Sequence, residues 1–169
     1  MMKQPEDIEI RALKIGDDGS IPNNPDYPLL VYKNVAADGD KTEKILHEHN
    51  WLGSWRGKVY TEHHYHSNTH EVLVVDAGQA TLHLGGQSGE KVTVEKGDAL
   101  ILPAGFGHKY LEGTDDFAVI GAYPDDREHD FLYGKPEERP QNLENIREVP
   151  LPAQDPLFGA DGPLFEYWK

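Results

Sequence analysis

The chain has 169 residues, 37% of them hydrophobic, enough for one compact core with little left over for a second. Thirty acidic residues against sixteen basic ones give a formal charge of −14, a field that repels nucleic acid and anionic membrane surfaces. There is no cysteine, which excludes disulfides, thiolate sites and iron–sulfur clusters and leaves nitrogen and oxygen as the ligands for any metal.

The opening MMKQPEDIEI lacks the apolar stretch of a secretory signal, and no run of about eighteen apolar residues occurs that would cross a bilayer, so a cytoplasmic protein is expected. IEIRALKI alternates apolar and polar residues as a half-buried strand does, GDDGSIPNNPDYP supplies a cluster of turn formers, and PLLVYKNV reads as a second strand. DKTEKILHEHNWLG reads as a short helix, with Asp40 and Glu43 at capping-box spacing and Gly53 as its stop. It is the one helix expected.

From about Val59 to Pro124 the pattern changes to short runs broken by glycine: EVLVVDAG, QATLHLGG, EKVTVEKGD, ALILPAG, HKYLEG and FAVIGAYP. Strands of this length with a turn signal every eight to twelve residues predict an all-β sandwich or barrel. Residues 1–169 then form a single domain, with a core barrel at about 59–124, an N-terminal extension over 1–58 and a C-terminal wrapping arm over 125–169. The arm is proline-rich but carries recurring apolar anchors, Leu151, Leu157, Phe158, Leu164, Phe165 and Trp168, which a disordered tail would not need.

TEHHYHSNTHE, residues 61–71, concentrates histidine and glutamate. In a strand, residues two apart share a face at about 6.5 Å, so His64 and His66 can aim at one cation while His63 and Tyr65 face the other way. Glu71, opening the next strand, can bend back as a third ligand. Thirty residues on, GDALILPAGFGHKYLE sets Gly97, Pro103, Gly105 and His108 in a strand–turn–strand arrangement.

These two segments carry a family resemblance. HYHSNTHEVLVVDAG is similar to the first motif of the cupin superfamily at His64, His66, Glu71 and Gly78, and GDALILPAGFGH to the second at Gly97, Pro103, Gly105 and His108. Gly57 lies one residue farther back than the motif glycine, and Glu112 stands where the second motif ends in asparagine. IPNNPDYPLLVYKN, GAYP and VPLPAQDPLFGADGPL extend the resemblance over the chain to the YjlB-like branch of cupins. The resemblance implies a double-stranded β-helix, a jelly-roll barrel with one short N-terminal helix and an extended C-terminal arm. It also implies a divalent transition metal, Fe, Mn, Ni or Zn, held by His64, His66, Glu71 and His108 with about two coordination positions open.

The expected function is that of a metal-dependent enzyme of oxygenase type acting on a small polar or enolisable molecule. The same ligands suit an isomerase or epimerase, for which Glu112, on the strand face of His108 and Tyr110, or a tyrosine, Tyr110, is the candidate catalytic base, while Tyr110 and Tyr123 are expected either to line the pocket as hydrogen-bond donors or to pack in the core. A non-catalytic, metal-dependent small-molecule binding module is the rival. Arg56, Lys58 and Lys109 are scattered and form no phosphate clamp beside the motifs, and no helix-turn-helix is present. A homodimer is implied by the resemblance. His70 is expected outside the cavity, His83 is undecided, His47 and His49 are expected on a solvated helix face, and Trp51 and Trp55 are expected in packing.

Overall fold

The structure, a computed structural model, describes residues 4–36 and 39–169. In chain order it contains β1 (Glu9–Leu13), β2 (Leu29–Lys33), α1 (Gly39–Glu48), β3 (Trp51–Gly57), β4 (Glu71–Ala77), β5 (Gln79–Leu84), β6 (Glu90–Glu95), β7 (Ala99–Leu102), β8 (His108–Gly113), β9 (Ala118–Pro124), α2 (Gln141–Glu148) and α3 (Leu164–Tyr167). A six-stranded sheet runs β1-β2-β7-β4-β9-β3 and a three-stranded sheet runs β6-β5-β8, with antiparallel pairing throughout. This is the double-stranded β-helix, with every strand expected between residues 59 and 124 present.

Two apolar layers hold it. Leu29, Val31, Leu73, Leu100 and Leu102 of the large sheet face Leu82, Leu84, Val92 and Val94 of the small one. Leu30, Tyr32, Val72, Val74 and Ile101 point out of the other face of the large sheet, onto Leu46 of α1 and onto Leu157, Leu164 and Trp168 of the C-terminal arm. Covering on both faces explains why LLVY, VLVV and ALIL are continuous apolar runs and not alternating ones. No helix among the described residues is long and apolar enough to cross a membrane.

The arm is tied down by polar clasps as well as by burial. Both carboxylate oxygens of buried Asp155 are saturated: Oδ2 accepts from the Tyr32 hydroxyl at 2.6 Å and the Leu164 N–H at 3.1 Å, and Oδ1 from the Leu157 and Phe158 N–H groups. The indoles of Trp168 and Trp51 donate to the carbonyls of Pro28 and Gln154. Leu151 is not an anchor, since it is 42% exposed.

Three local expectations are corrected. Gly53 does not end the helix: α1 stops at Glu48, Asn50 takes the positive φ of the turn, and Gly53, at φ +65°, sits in β3 where the pairing with β9 shifts between Leu52 and Trp55. The capping box does not form either, because Asp40 lies within the first turn and Glu43 accepts the Ser54 hydroxyl at 2.7 Å. The arm, read as extended, contains α2 and α3, whose proline-punctuated surroundings hide their short apolar faces.

Candidate metal centre

The His64–His66 segment is not a regular strand. It is an extended run clamped by single bridges: His64 pairs with His108 through two backbone hydrogen bonds of 3.1 and 2.9 Å, and Tyr65 pairs with Leu132. Alternation still operates. His64 and His66 turn into the barrel, while Tyr65 joins a separate cluster with Ile21, Ala104 and Ile146 and donates its hydroxyl to Glu138. The His66 carbonyl accepts the Gly105 N–H, and Gly105, at φ +89°, has no room for a side chain, since a Cβ would lie 2.6 Å from the Asn23 carbonyl. The tight turn before β8 thus delivers His108 opposite His64.

The ligating nitrogens of His64, His66 and His108 all lie within 4.8 Å of one another. Glu71 Oε1, at the start of β4, is 3.3 Å from His66 Nε2 and 3.5 Å from His108 Nε2. His64, His66, His108 and Glu71 are 3%, 6%, 3% and 2% exposed.

Each histidine donates from Nδ1 to a backbone carbonyl: His64 to Glu62 at 2.8 Å, His66 to Asp130 at 2.5 Å and His108 to Phe106 at 3.1 Å. In the neutral imidazole this puts the only proton on Nδ1 and leaves the Nε2 lone pair facing the cavity. Three lone pairs then cluster with no donor among them, two of them against the Glu71 carboxylate, whose Oε1 is buried without a hydrogen-bond partner. Such a set is satisfied by a cation or a captured proton. A divalent transition ion therefore fits the residues present.

The electrostatics point the same way. Burial, reinforced by His108, pushes the His64 imidazolium down to about 2, so this ring is neutral. Burial opposes charge on His66, yet Glu71 outweighs it and raises that imidazole above its ordinary value. Burial likewise opposes the Glu71 carboxylate, and His66 with His108 holds it well below the usual range. Without a cation, the His66–Glu71 contact is where a proton would collect.

The four side chains open onto a cavity of about 530 Å³, also lined by Trp55, Tyr60, Tyr123, His129 and Phe131. The Trp55 indole N–H donates to the Tyr123 hydroxyl at 2.9 Å, leaving the phenol proton for Glu71, and burial with the adjacent Glu71 charge raises the phenol pKa. Trp55 reaches this place across Gly121, where any Cβ would meet the indole at 2.4 Å. Phe131 lies flat on His64, with centroids 4.3 Å apart and planes within 6°, and His129 stacks on Tyr123 at 4.5 Å.

The candidate bases fall elsewhere. Glu112 is exposed in a shallow depression with Thr81 and Thr93. A register shift in the β5–β8 pairing leaves Leu111 unpaired, so that Tyr110 faces inward with Leu82 while Glu112 turns outward with Thr81. Tyr110 packs on Phe117 in the core and does not line the metal cavity. Tyr123 does line it, as does Trp55, expected only in packing.

Apart from His129, which lines the cavity, the remaining histidines stand away from the cation position. His70 is buried behind it, between the Ala104 N–H and the Pro150 carbonyl. His63 accepts the Gly86 N–H and packs edge-on against His83. His47 is exposed against Ser54, and His49, just beyond α1, contacts the Pro156 carbonyl. His129 and Phe131 were not found from sequence, because they sit in DDREHDFLYG, a charged loop with neither strand period nor ligand spacing.

Comparison with known proteins gives a cupin domain model matching residues 55–120. The uncharacterized protein YjlB of Bacillus subtilis (strain 168) is 47% identical over 152 residues, covering 90% of this chain and 92% of that protein. Among solved structures, an acireductone dioxygenase from Bacillus anthracis with cadmium ion in its active centre is 15% identical, with a TM-score of 0.41 over 56% of this chain and 63% of that one. An uncharacterized protein with a double-stranded β-helix domain from Klebsiella pneumoniae is 13% identical, with a TM-score of 0.38 over 80% and 90% of the two chains. At those identities no chemistry follows from the likeness.

Proposed function

The chain belongs to the cupin family as a relative of YjlB, and from that premise we propose that it is a metal-dependent enzyme of oxygenase type acting on a small polar or enolisable molecule. One divalent transition ion is held by His64, His66, Glu71 and His108. The observation that carries this reading is the uniform anchoring of three Nδ1–H groups on backbone carbonyls, which leaves the Nε2 lone pairs of three clustered imidazoles free, those of His66 and His108 against the buried Glu71 Oε1, which has no hydrogen-bond partner. When bound, the ion supplies Lewis-acid polarisation of substrate oxygens and, if it is redox-active, one-electron chemistry.

The protein's own groups do the rest. Trp55, Tyr60 and Phe131 give the cavity an aromatic wall, with Tyr60 and Phe131 exposed at its mouth, that suits a planar or enolic group. Glu71 carries the negative charge that offsets the cation, and Tyr123 orients that carboxylate. Apart from the four ligands, Tyr123 and His129 are the wall groups near Glu71 able to hold or pass a proton, and an isomerase chemistry at this site would use them and not Glu112.

The test begins with elemental analysis of protein purified without tag or chelator, followed by oxygen uptake of the Fe(II)-loaded protein with diketones, reductones and phenols. Stoichiometric metal and substrate-dependent uptake support the proposal. Bound metal with ligand-induced stabilisation but no turnover across the panel would replace it with a binding module.

A further inference from the structure

A second polar cavity, of about 540 Å³, lies on the outer side of the small sheet. His83 in β5 is paired with Lys91 in β6 on one side and with Lys109 in β8 on the other. Directly paired residues of an antiparallel sheet project from the same face, so a lysine, an imidazole and a second lysine stand in one row across three strands, the outer two about 9.5 Å apart. The sequence hid this row, because its members come from three separate strands. His63 completes the cluster, its ring 5.2 Å from that of His83.

The lysine donors here are unspent, whereas the His83 ring is hydrogen-bonded to the Gln87 backbone. Among the described residues neither Lys91 nor Lys109 takes part in an ion pair or a side-chain hydrogen bond. His63 accepts the Gly86 N–H at Nε2, which places its own proton on Nδ1. Asp18 is the one carboxylate on the wall, and its Oδ1 is taken up by the Ser20 and Ile21 N–H groups. In a chain of charge −14, this leaves a concave patch with two ammonium groups, two imidazoles and the Ser88 hydroxyl. Burial and the two flanking lysines lower the His83 pKa, in keeping with a locally positive potential.

We propose that this cavity is a binding site for a phosphate-type oxyanion, free or as the ester of a small metabolite. Two ammonium groups on either side of a neutral imidazole offer separated donors that match the several acceptor oxygens of a tetrahedral dianion, and the volume leaves room for an organic substituent. His63 and His64 are consecutive residues of one extended segment, facing this cavity and the metal cavity respectively, so the two sites share a wall.

The experiment is a calorimetric titration of the chelator-treated full chain with inorganic phosphate and, separately, glycerol phosphate, at ionic strength held constant with chloride. Saturable binding is expected, weakened at least about tenfold by Lys91→Gln or Lys109→Gln and unaffected by His64→Ala. Both lysines are solvent-accessible, so melting temperatures within a degree or so of wild type are expected for their variants. Tighter binding of glycerol phosphate identifies an ester as the occupant, and tighter binding of phosphate identifies the free ion. Absence of saturation beyond the chloride control, equal affinity in the double lysine variant, or loss of binding in His64→Ala would each overturn the assignment, the last by moving the anion to the metal cavity.

Discussion

Glu71 Oε1 lies 3.3 Å from His66 Nε2, and since the Asp130 carbonyl holds one proton on Nδ1, the neutral His66 ring has no hydrogen between the two atoms. Such a contact persists in a fold only if something positive occupies it. Glu71→Gln removes the charge at nearly constant shape. The metal-free variant is expected to melt below wild type near neutral pH, because the proton captured by His66 in the metal-free protein loses the carboxylate that holds it. Its affinity for Mn(II) or Zn(II) falls by more than about 100-fold, beyond the loss usual for an outer hydrogen-bond partner. Paired melting curves with and without metal check both halves, and an undiminished metal-induced shift in the variant contradicts the ligand assignment.

Tyr123 would act on a bound ion through Glu71. Its hydroxyl accepts from Trp55 and faces the carboxylate, so Tyr123→Phe strands the half-buried indole N–H and frees Glu71 to rotate. The expected cost is about 1–3 kcal/mol in stability and roughly tenfold in metal affinity, measured by urea unfolding and by competition with a chelator. A stability loss with unchanged metal affinity would reduce Tyr123 to a packing residue.

Glu112→Ala tests the reading of the bulge. With Leu111 looped out, the carboxylate points away from the cavity, so substitution is expected to leave metal stoichiometry unchanged and any turnover within about twofold, typical of an exposed site away from special features. A large loss of turnover at constant metal content would return Glu112 to the list of candidate bases.

The contrast between Glu112 and His66 marks what the sequence could convey. Glycine-bounded apolar runs announce the strands because each buries a short segment between turns, and the spacing from His64 to Glu71 survives because a two-residue alternation needs only extended backbone, not a regular strand. Parity arguments fail at a single looped-out residue, and nothing in HKYLEG signals that Leu111 is one. Trp51 to Gly53 read as a helix end because Gly53 resembles a stop, yet that glycine takes its positive φ inside β3, where the pairing with β9 shifts. His129, Phe131 and the Lys91–His83–Lys109 row depend on which distant segments meet, and no local pattern encodes that.

Asp155 is the polar centre of the arm that covers the outer face of the large sheet. Asp155→Ala leaves the Tyr32 hydroxyl and the N–H groups of Leu157, Phe158 and Leu164 without their acceptor, all at buried or half-buried positions. A loss of about 3 kcal/mol or more is expected from stranding several such groups. Limited proteolysis should show cleavage after residue 150 in the variant before the barrel is cut, and simultaneous loss of barrel and arm would mean that the arm is not a separately clasped unit.

Acid sensitivity near neutrality should come from histidine as well as from carboxylates. His70 packs against Trp168 at 4.8 Å, accepts the Ala104 N–H at Nδ1 and donates from Nε2 to the Pro150 carbonyl, so a second proton has nowhere to go without breaking the Ala104 bond. Burial accordingly lowers its pKa from 6.5 to about 4. Between those values the unfolded chain binds the proton and the folded chain does not, so stability rises with pH. The contribution is complete above pH 6.5, declines as the pH falls and is lost by about pH 4, a total of about 3 kcal/mol. Urea unfolding of chelator-treated wild type and His70→Asn at half-unit steps through this window checks it. The variant is less stable at pH 7, but its stability falls less steeply on acidification. Parallel slopes for the two proteins would mean that His70 titrates in the folded state as it does in the unfolded one, and that the Ala104 contact does not hold it neutral.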